Sequence, residues 1–273
     1  MRAGGAAAYD TGRTRVVGVI GGMGPLATAD FFRRLVDATD AATDQEHLHV
    51  LIDSDPTVPD RTAFLLHGGP DPAPMLIAMA RRLEAAGADL LVIACNTAHA
   101  VTARVAPAVR VPLLDWTDEA AAGVVAAMPE LSDIGLLATD GTLAARLYDA
   151  VFEPHGIRVL VPDPPMQRRV MAAIYGEGGV KSGGAGLVRH RDALQQVAEA
   201  LCAAGAQAIL LGCTELGVLD AASPAPWPVP AFDAAELAAR RVVELAGGRL
   251  REARPGNRAS ELASATETRR MQR

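Results

Sequence analysis

A chain of 273 residues, half of them hydrophobic, is long enough to bury sizeable cores and falls between the one-domain and two-domain expectations, with two modest domains the better starting point. A net charge of −6, a pI near 5.5 and only 4% aromatic residues argue against a nucleic-acid partner, which calls for basic surface and rings that stack on bases. The first fifteen residues hold no apolar stretch of signal-peptide length, and no later run approaches the roughly 20 apolar residues of a membrane span, so a cytoplasmic protein with no membrane partner is expected.

Apolar runs that end in turn residues alternate with amphipathic helical patterns along the chain. In order, the patterns predict a strand at Val16–Ile20, a helix at Ala27–Ala38, a strand at Leu48–Ile52, a helix at Ala73–Ala86, and strands at Leu90–Ala94 and Val111–Leu113. A helix at Asp118–Ala127, a strand at Ile134–Ala138, a helix at Thr142–Phe152 and a strand at Ile157–Val161 follow. The series closes with a helix at Asp192–Ala204, strands at Ala208–Leu211 and Val229–Phe232, and a helix at Ala234–Leu245. This alternation predicts an α/β protein with mostly parallel sheets flanked by helices. Residues 1–13 and 251–273 have no core-forming pattern and read as tails.

The chain also repeats itself. Gly18-Val19-Ile20-Gly21-Gly22 corresponds to Gly135-Leu136-Leu137-Ala138-Thr139, and a later strand in each half runs into a cysteine, as Ala94-Cys95-Asn96-Thr97 and Gly212-Cys213-Thr214-Glu215. Gly18 to Cys95 is 77 residues and Gly135 to Cys213 is 78. Each cysteine is followed 20 residues later by an aspartate that closes a Val-Pro strand, Asp115 and Asp233, and then by an alanine-rich helix. Two pseudo-symmetric domains are therefore expected, 14–115 completed by a C-terminal helix at 233–250, and 116–232. Each would set its cysteine just past the carboxyl end of a parallel strand, where open α/β sheets bind ligands. If the halves face each other, so do Cys95 and Cys213.

Three cysteines cannot all pair, and free thiols are expected. Moving a proton from one face of a carbon acid to the other needs two bases, one of them protonated at the start. Thiols suit both roles, with a reference pKa of about 8.5 that local donors tune. The polar Asn96, Thr97, Thr214 and Glu215 would stand beside the sulfurs. The plain alternative is a pair of small buried hydrophobes at strand ends. Cys202, within an amphipathic helical pattern, reads as structural.

Charge partners for a substrate are Arg61, in a proline-rich loop after the second strand, and Lys181, the only lysine beside 25 arginines, in a glycine-rich flexible loop. They lie 43 and 46 residues beyond the matched Gly18 and Gly135, so the repeat brings them to comparable places. One cation per half would hold the two carboxylates of a dicarboxylic amino acid. Alternatively, Arg61 fixes its loop by an ion pair with Asp55 or Asp60, and Lys181 is the chance survivor of an arginine-rich composition. Gly22-Met23-Gly24-Pro25-Leu26-Ala27 fits the dinucleotide-binding pattern, but the acidic partner expected about 20 residues on falls within Asp40–Asp44 rather than at the end of the second strand. A tight turn whose backbone N–H groups bind a substrate carboxylate is the preferred reading. His99 is either an acid/base aid to Cys95 or a helix-surface residue. His47, His49 and His67 have no metal-ligand spacing, and no metal is expected.

The segments VIGGMGPLAT, SDPTVPDRT, ACNTAH, LLATDGT, GVKSG and LGCTE resemble the aspartate/glutamate racemase superfamily, specifically its aspartate racemase branch, over nearly the whole chain from Val16 to Leu245. The resemblance implies two pseudo-symmetric α/β domains with the active site in the cleft between them, no pyridoxal phosphate or other cofactor, no metal, and a homodimer. It implies Cys95 and Cys213 as acid/base thiols backed by Asn96, Thr97 and Thr214, Arg61 and Lys181 as carboxylate binders, and Met23, Gly24, Thr139 and Thr142 near the substrate. The Gly-Gly-Met-Gly turn, and Glu215 where the glutamate branch carries histidine, favour aspartate. One departure is Asp55, where many relatives carry asparagine. The other functions to be weighed are a glutamate or broad-specificity racemase, a dicarboxylate isomerase or lyase, a pyridoxal enzyme using Lys181, and a non-catalytic dinucleotide-binding protein.

Overall fold

The computed structural model describes residues 14–184, 186–222 and 226–252. Of the expected tails at 1–13 and 251–273, all but Arg251 and Glu252 lie outside these residues, and Arg251 is bonded to the first half rather than loose. The first half runs β1 (Val17–Gly21), α1 (Pro25–Ala38), β2 (Val50–Ser54), α2 (Arg61–His67), α3 (Ala73–Ala85), β3 (Leu90–Ile93), α4 (Thr102–Val105) and β4 (Leu113–Leu114). After α5 (Trp116–Ala127), the second half runs β5 (Asp133–Leu137), α6 (Asp140–Ala144), α7 (Leu147–Phe152), β6 (Arg158–Leu160), α8 (Pro164–Tyr175), α9 (Leu187–Ala203), β7 (Ala208–Leu211), α10 (Thr214–Ala222), β8 (Ala231–Asp233) and α11 (Ala234–Leu245). The strands form two four-stranded sheets, wholly parallel, with the same order: β2-β1-β3-β4 and β6-β5-β7-β8. The α/β class and the pseudo-symmetric pair of sheets are those expected from the pattern.

The sheets face each other across one shared apolar core. Phe31 of α1, Trp116 of α5, Tyr148 and Phe152 of α7 and Phe232 of β8 are buried in it together with inward residues of both sheets. The outer faces are covered separately: α3 buries Leu76, Met79 and Leu83 on the first sheet, and α8, α9 and α10 bury Val170, Leu194, Leu201 and Leu216 on the second. Helix α11 packs on α1 and α5, and the backbone pairs Arg15 N–H to Ala246 O and Arg251 N–H to Ala38 O, both 2.8 Å, tie the C-terminal segment to the first half. Among the described residues no helix is long and apolar enough to cross a membrane.

Several element boundaries differ from expectation for identifiable reasons. Strands β4 and β8 begin after, not before, Pro112 and Pro230, because a proline offers the ladder a carbonyl but no N–H. Leu91 and Ile209 accordingly donate to those two proline carbonyls at 2.8 and 2.9 Å. The helix expected from Asp118 starts at Trp116, since Asp115 accepts from the N–H groups of Thr117 and Asp118 as its N-cap. Asp233 caps α11 in the same way, so the two matched aspartates are paired helix starts. The single helix expected over Thr142–Phe152 is broken into α6 and α7 at Arg146, whose φ is 51°. Helices α2, α4, α8 and α10 were not foreseen. Asp60 and Asp163 cap α2 and α8, turning proline-rich segments into helix entries, and α9 begins as early as Leu187.

Gly18 and Gly135 show how closely the halves match. A Cβ on Gly18 would stand 2.6 Å from Leu91 Cδ2 and 2.9 Å from Ala88 Cβ, and one on Gly135 would stand 2.7 Å from Ile209 Cδ1 and 3.1 Å from Leu201 Cδ1. Both glycines let a helix, α3 or α9, lie against its sheet. Gly18→Val and Gly135→Val are each expected to destabilise the protein by about 1–3 kcal/mol, the usual cost of overpacking, in chemical denaturation, whereas unchanged midpoints would contradict this packing.

Candidate active site

Each cysteine lies two residues past the end of a central strand, Cys95 after β3 and Cys213 after β7. Both are buried, 5% and 4% exposed. Behind Cys95 a tight backbone turn leads into a 3-10 turn over Thr97–Val101, held by His99. That ring donates from Nδ1 to the carbonyl of Cys95 at 2.9 Å, and its Nε2 accepts the backbone N–H of Trp116 at 3.1 Å. A ring nitrogen that accepts a backbone N–H has no proton of its own, so the tautomer is fixed. Burial pushes the imidazole pKa down, against the pull of Asp115. His99 is therefore neither of the two things expected of it: it is a buried neutral strut between the Cys95 turn and the start of α5. Behind Cys213 there is no room for a side chain at Gly212, where a Cβ would meet Leu136 Cδ1 at 2.6 Å.

The Gly22-Met23-Gly24 turn joins β1 to α1. Gly22 has φ of 91°, and a Cβ there would strike the backbone of Asp55. Thr28 closes the turn, accepting from Gly22 N–H and donating to Gly24 O, both at 2.9 Å. Gly24 is the N-cap residue of α1, and its N–H does meet a carboxylate, as the anion-binding reading required. The carboxylate is the protein's own. Glu215, 2% exposed, accepts from Gly24 N–H at 3.1 Å and from Lys181 Nζ at 2.8 Å on Oε1, and from Thr214 Oγ1 at 2.9 Å and Cys213 Sγ at 3.1 Å on Oε2. Burial alone would raise the pKa of Glu215, but Lys181 and the other donors outweigh it and hold the group below the ordinary glutamate value. Burial, reinforced by Glu215 and opposed by Lys181, pushes the Cys213 thiol well above its ordinary value.

The expected free cations are both committed. Lys181 pairs with Glu215 and also donates to Met23 O at 2.6 Å, with its ammonium 5.4 Å from the centre of the Tyr175 ring. Arg61 is not in a loop but is the first residue of α2. Its guanidinium donates to Met23 O and Pro59 O at 3.0 Å and to Val58 O at 3.3 Å. Asp60 caps α2 and Asp55 is turned to Thr57, so neither serves as the ion-pair partner once considered for Arg61. The repeat arithmetic also misleads here: the counterpart of Arg61 at the start of the helix after β6 is Pro164, while Lys181 comes from a turn between α8 and α9. The two cations meet nonetheless, on one carbonyl oxygen. Burial works against the Arg61 charge, and Cys95, then Tyr175 and Asp60, outweigh it. Lys181 interacts electrostatically with both sulfurs.

The halves join directly around this cluster. Thr97 Oγ1 lies 2.9 Å from Thr139 Oγ1 and 3.0 Å from Thr142 Oγ1, and Thr139 is also the N-cap of α6. Tyr148 O–H donates to Asn96 Oδ1 across the same boundary. Three buried donor or hydroxyl groups here have no partner: Asn96 Nδ2, Arg61 Nε and Thr62 Oγ1. The sequence reading missed Tyr148, Tyr175 and Thr62. The scarcity of tyrosine, three in the chain, was the available signal, since two of the three stand at the site. Cys202 is half-buried on α9, apart from the cluster. Among the described residues no three His, Cys, Asp or Glu side chains are grouped to hold a metal ion.

A cavity of about 330 Å3 opens onto Met23, Gly24, Val58, Arg61, Lys181 and Glu215, at the small end of ligand pockets. The family described as Asp/Glu/hydantoin racemase matches residues 20–242. The chain belongs to that family. It is an isomerase, an amino-acid racemase by family, and its fold is similar to that of the aspartate racemase of Picrophilus torridus, with a TM-score of 0.77 and 27% identity over 91% of this chain and 99% of that one. An aspartate racemase homologue from Pyrococcus horikoshii OT3 gives a TM-score of 0.67 at 26% identity, covering 85% and 99%. By sequence the racemase is similar to a broad-specificity amino-acid racemase of Bacillus subtilis, 27% identical over 213 residues, or 75% of this chain and 88% of the other.

Arg61 holds three carbonyls from the two loops that wall the site, so replacing it has a folding cost apart from any role toward substrate. Arg61→Met is expected to lower stability by about 1.5–3 kcal/mol, the worth of charged hydrogen bonds to buried groups, as read by denaturant unfolding. A melt identical to wild type would contradict this structural role.

Proposed function

We propose that this racemase interconverts L- and D-aspartate without a cofactor, using Cys95 and Cys213 as acid and base on opposite faces of the α-carbon. The observation that carries the reading is that two buried thiols stand at matched strand ends of two facing sheets, one of them joined through Glu215 to the ammonium of Lys181. One thiolate takes the α-proton, so the Cα–H bond breaks as an S–H bond forms. The other thiol then gives its proton to the opposite face of the carbanion, its S–H bond breaking as the new Cα–H bond forms. A substrate carboxylate is accepted in the adjoining cavity, beside Gly24 at the start of α1 and Lys181. The unpartnered Asn96 Nδ2 and the Thr97, Thr139 and Thr142 hydroxyls are further polar groups for it. Negative charge built up on the carbanion is met by buried donors that need no reorganisation.

A second reading, broad specificity, is favoured by a specific observation. Lys181 is neutralised by Glu215, and Arg61 is spent on three carbonyls, which leaves weak provision for a side-chain carboxylate. The similarity to the Bacillus subtilis protein supports the same alternative. A cytoplasmic homodimer belongs to the proposal as well, and α1 leaves Leu26, Phe32 and Val36 exposed to serve such a contact. Sedimentation velocity would give a single species of twice the chain mass, and a monomer would remove that part.

Loss of optical activity followed by circular dichroism on a panel of L-amino acids tests the whole reading. Aspartate is expected to give a kcat/KM at least about tenfold above alanine, serine and glutamate, and equal rates across the panel would replace it with the broad reading. Cys95→Ala and Cys213→Ala are each expected to lower racemisation at least about a hundredfold, and full activity in either would end the two-thiol mechanism. Treatment with EDTA and hydroxylamine should leave the rate unchanged. A loss restored by metal or pyridoxal phosphate would overturn cofactor independence.

A further inference from the structure

The two sulfurs sit in opposite hydrogen-bonding environments. Beside Cys95 stands a guanidinium, which only donates. Its Nε–H is buried and without a hydrogen-bond partner, a donor left over on that side of the site. Beside Cys213 stands a carboxylate that only accepts, because Lys181 Nζ, Gly24 N–H and Thr214 O–H hold Glu215 in its ionised form. A sulfur 3.1 Å from an ionised carboxylate oxygen makes that contact favourable only by carrying a hydrogen of its own.

We propose that Glu215 is a positioning residue for the proton shuttle: it fixes the resting proton on Cys213, so that Cys95, facing Arg61, begins as the base and Cys213 as the acid. The inference rests on the two-thiol reading of the site and adds to it the residue that makes the thiols unequal. Glu215 needs no contact with substrate to do this, since it acts through Cys213 Sγ and through the donors it shares with the rest of the site. The charged and titratable groups that face it and Cys213 are Lys181 from the turn before α9, Tyr175 at the end of α8, Tyr148 of α7, which packs beside Gly212, and beyond Lys181 the residues Cys95 and Arg61.

Alkylation tests the assignment without any substrate, so the labelling result and the racemase assay can fail independently. The wild-type protein is treated with iodoacetamide over a pH series, and the Cys95 and Cys213 peptides are quantified by mass spectrometry. At neutral pH Cys95 is expected to label at least about tenfold faster than Cys213, since the thiolate is the reactive form. Glu215→Gln removes the negative charge from Cys213 and should move the midpoint of its labelling profile down by about one pH unit or more. A merely looser pocket would hydrate the sulfur and lower the midpoint as well, so the shorter, charge-keeping Glu215→Asp separates the two causes. Glu215→Asp, which keeps the charge, should restore most of the shift. Lys181→Met, which takes away the cation opposing Glu215, should move the midpoint the other way and serves if Glu215→Gln does not fold. Faster labelling of Cys213 in the wild type, or a Cys213 midpoint unmoved or raised in Glu215→Gln, would overturn the proposal.

Discussion

A buried carboxylate has to be given donors, and Glu215 draws its donors from both halves of the molecule. Gly24 N–H reaches it from the start of α1 in the first half, while Lys181, Thr214 and Cys213 reach it from the second. An ionised group without these partners would carry a desolvation cost of several kcal/mol. The demand is local, yet it fixes much of what surrounds it. The turn at Gly22 must stay tight to aim Gly24, the turn before α9 must bring its lysine inward, and the two halves must approach closely enough for one carboxylate to touch both.

The same contact sets symmetry against asymmetry. The repeat provides two sheets of identical strand order, two cysteines at the same strand ends and two aspartates that start matching helices. A reaction that takes a proton from one face and delivers one to the other needs that duplication. It also needs the two sides to differ at any instant, because two thiolates or two thiols cannot complete it. The difference enters through residues that the repeat does not duplicate: Arg61 at the start of α2 has a proline as its counterpart, and Lys181 rises from a turn placed later in its half. The carbonyl of Met23 binds both cations, which keeps the two unlike sides in register.

Much of the fold was legible because it depends on local pattern and on the repeat. The strand positions followed from buried apolar runs, and the correspondence of β1 to β5 and of β3 to β7 followed from spacing. What escaped was governed by capping and by single backbone bonds. Asp60 makes a helix of a segment whose prolines read as loop, Asp163 starts another that no pattern announced, Pro112 and Pro230 delay two strands, and Arg146 divides a helix that composition alone would keep whole. At the site, residue types announced the thiols and the cations, but not their commitments. Nothing in the spacing told that Glu215 would occupy the position expected for a substrate carboxylate, that His99 would turn inward to hold the Cys95 turn, or that Tyr148 would reach Asn96 from the opposite half. Those are long-range contacts, set by how the sheets meet.

The central claim is that two separate groups handle the proton, one on each face of the α-carbon, and isotope exchange in deuterium oxide reads this directly. Racemisation of a protiated L-amino acid is stopped early, the enantiomers are separated, and deuterium at Cα is measured in each. With two buried monoprotic thiols, the product carries solvent deuterium while the recovered substrate keeps its proton, since any return from the first sulfur is of the hydrogen it removed. Deuterium appearing in the recovered substrate as fast as in the product, or a product that retains the original proton, would contradict the account.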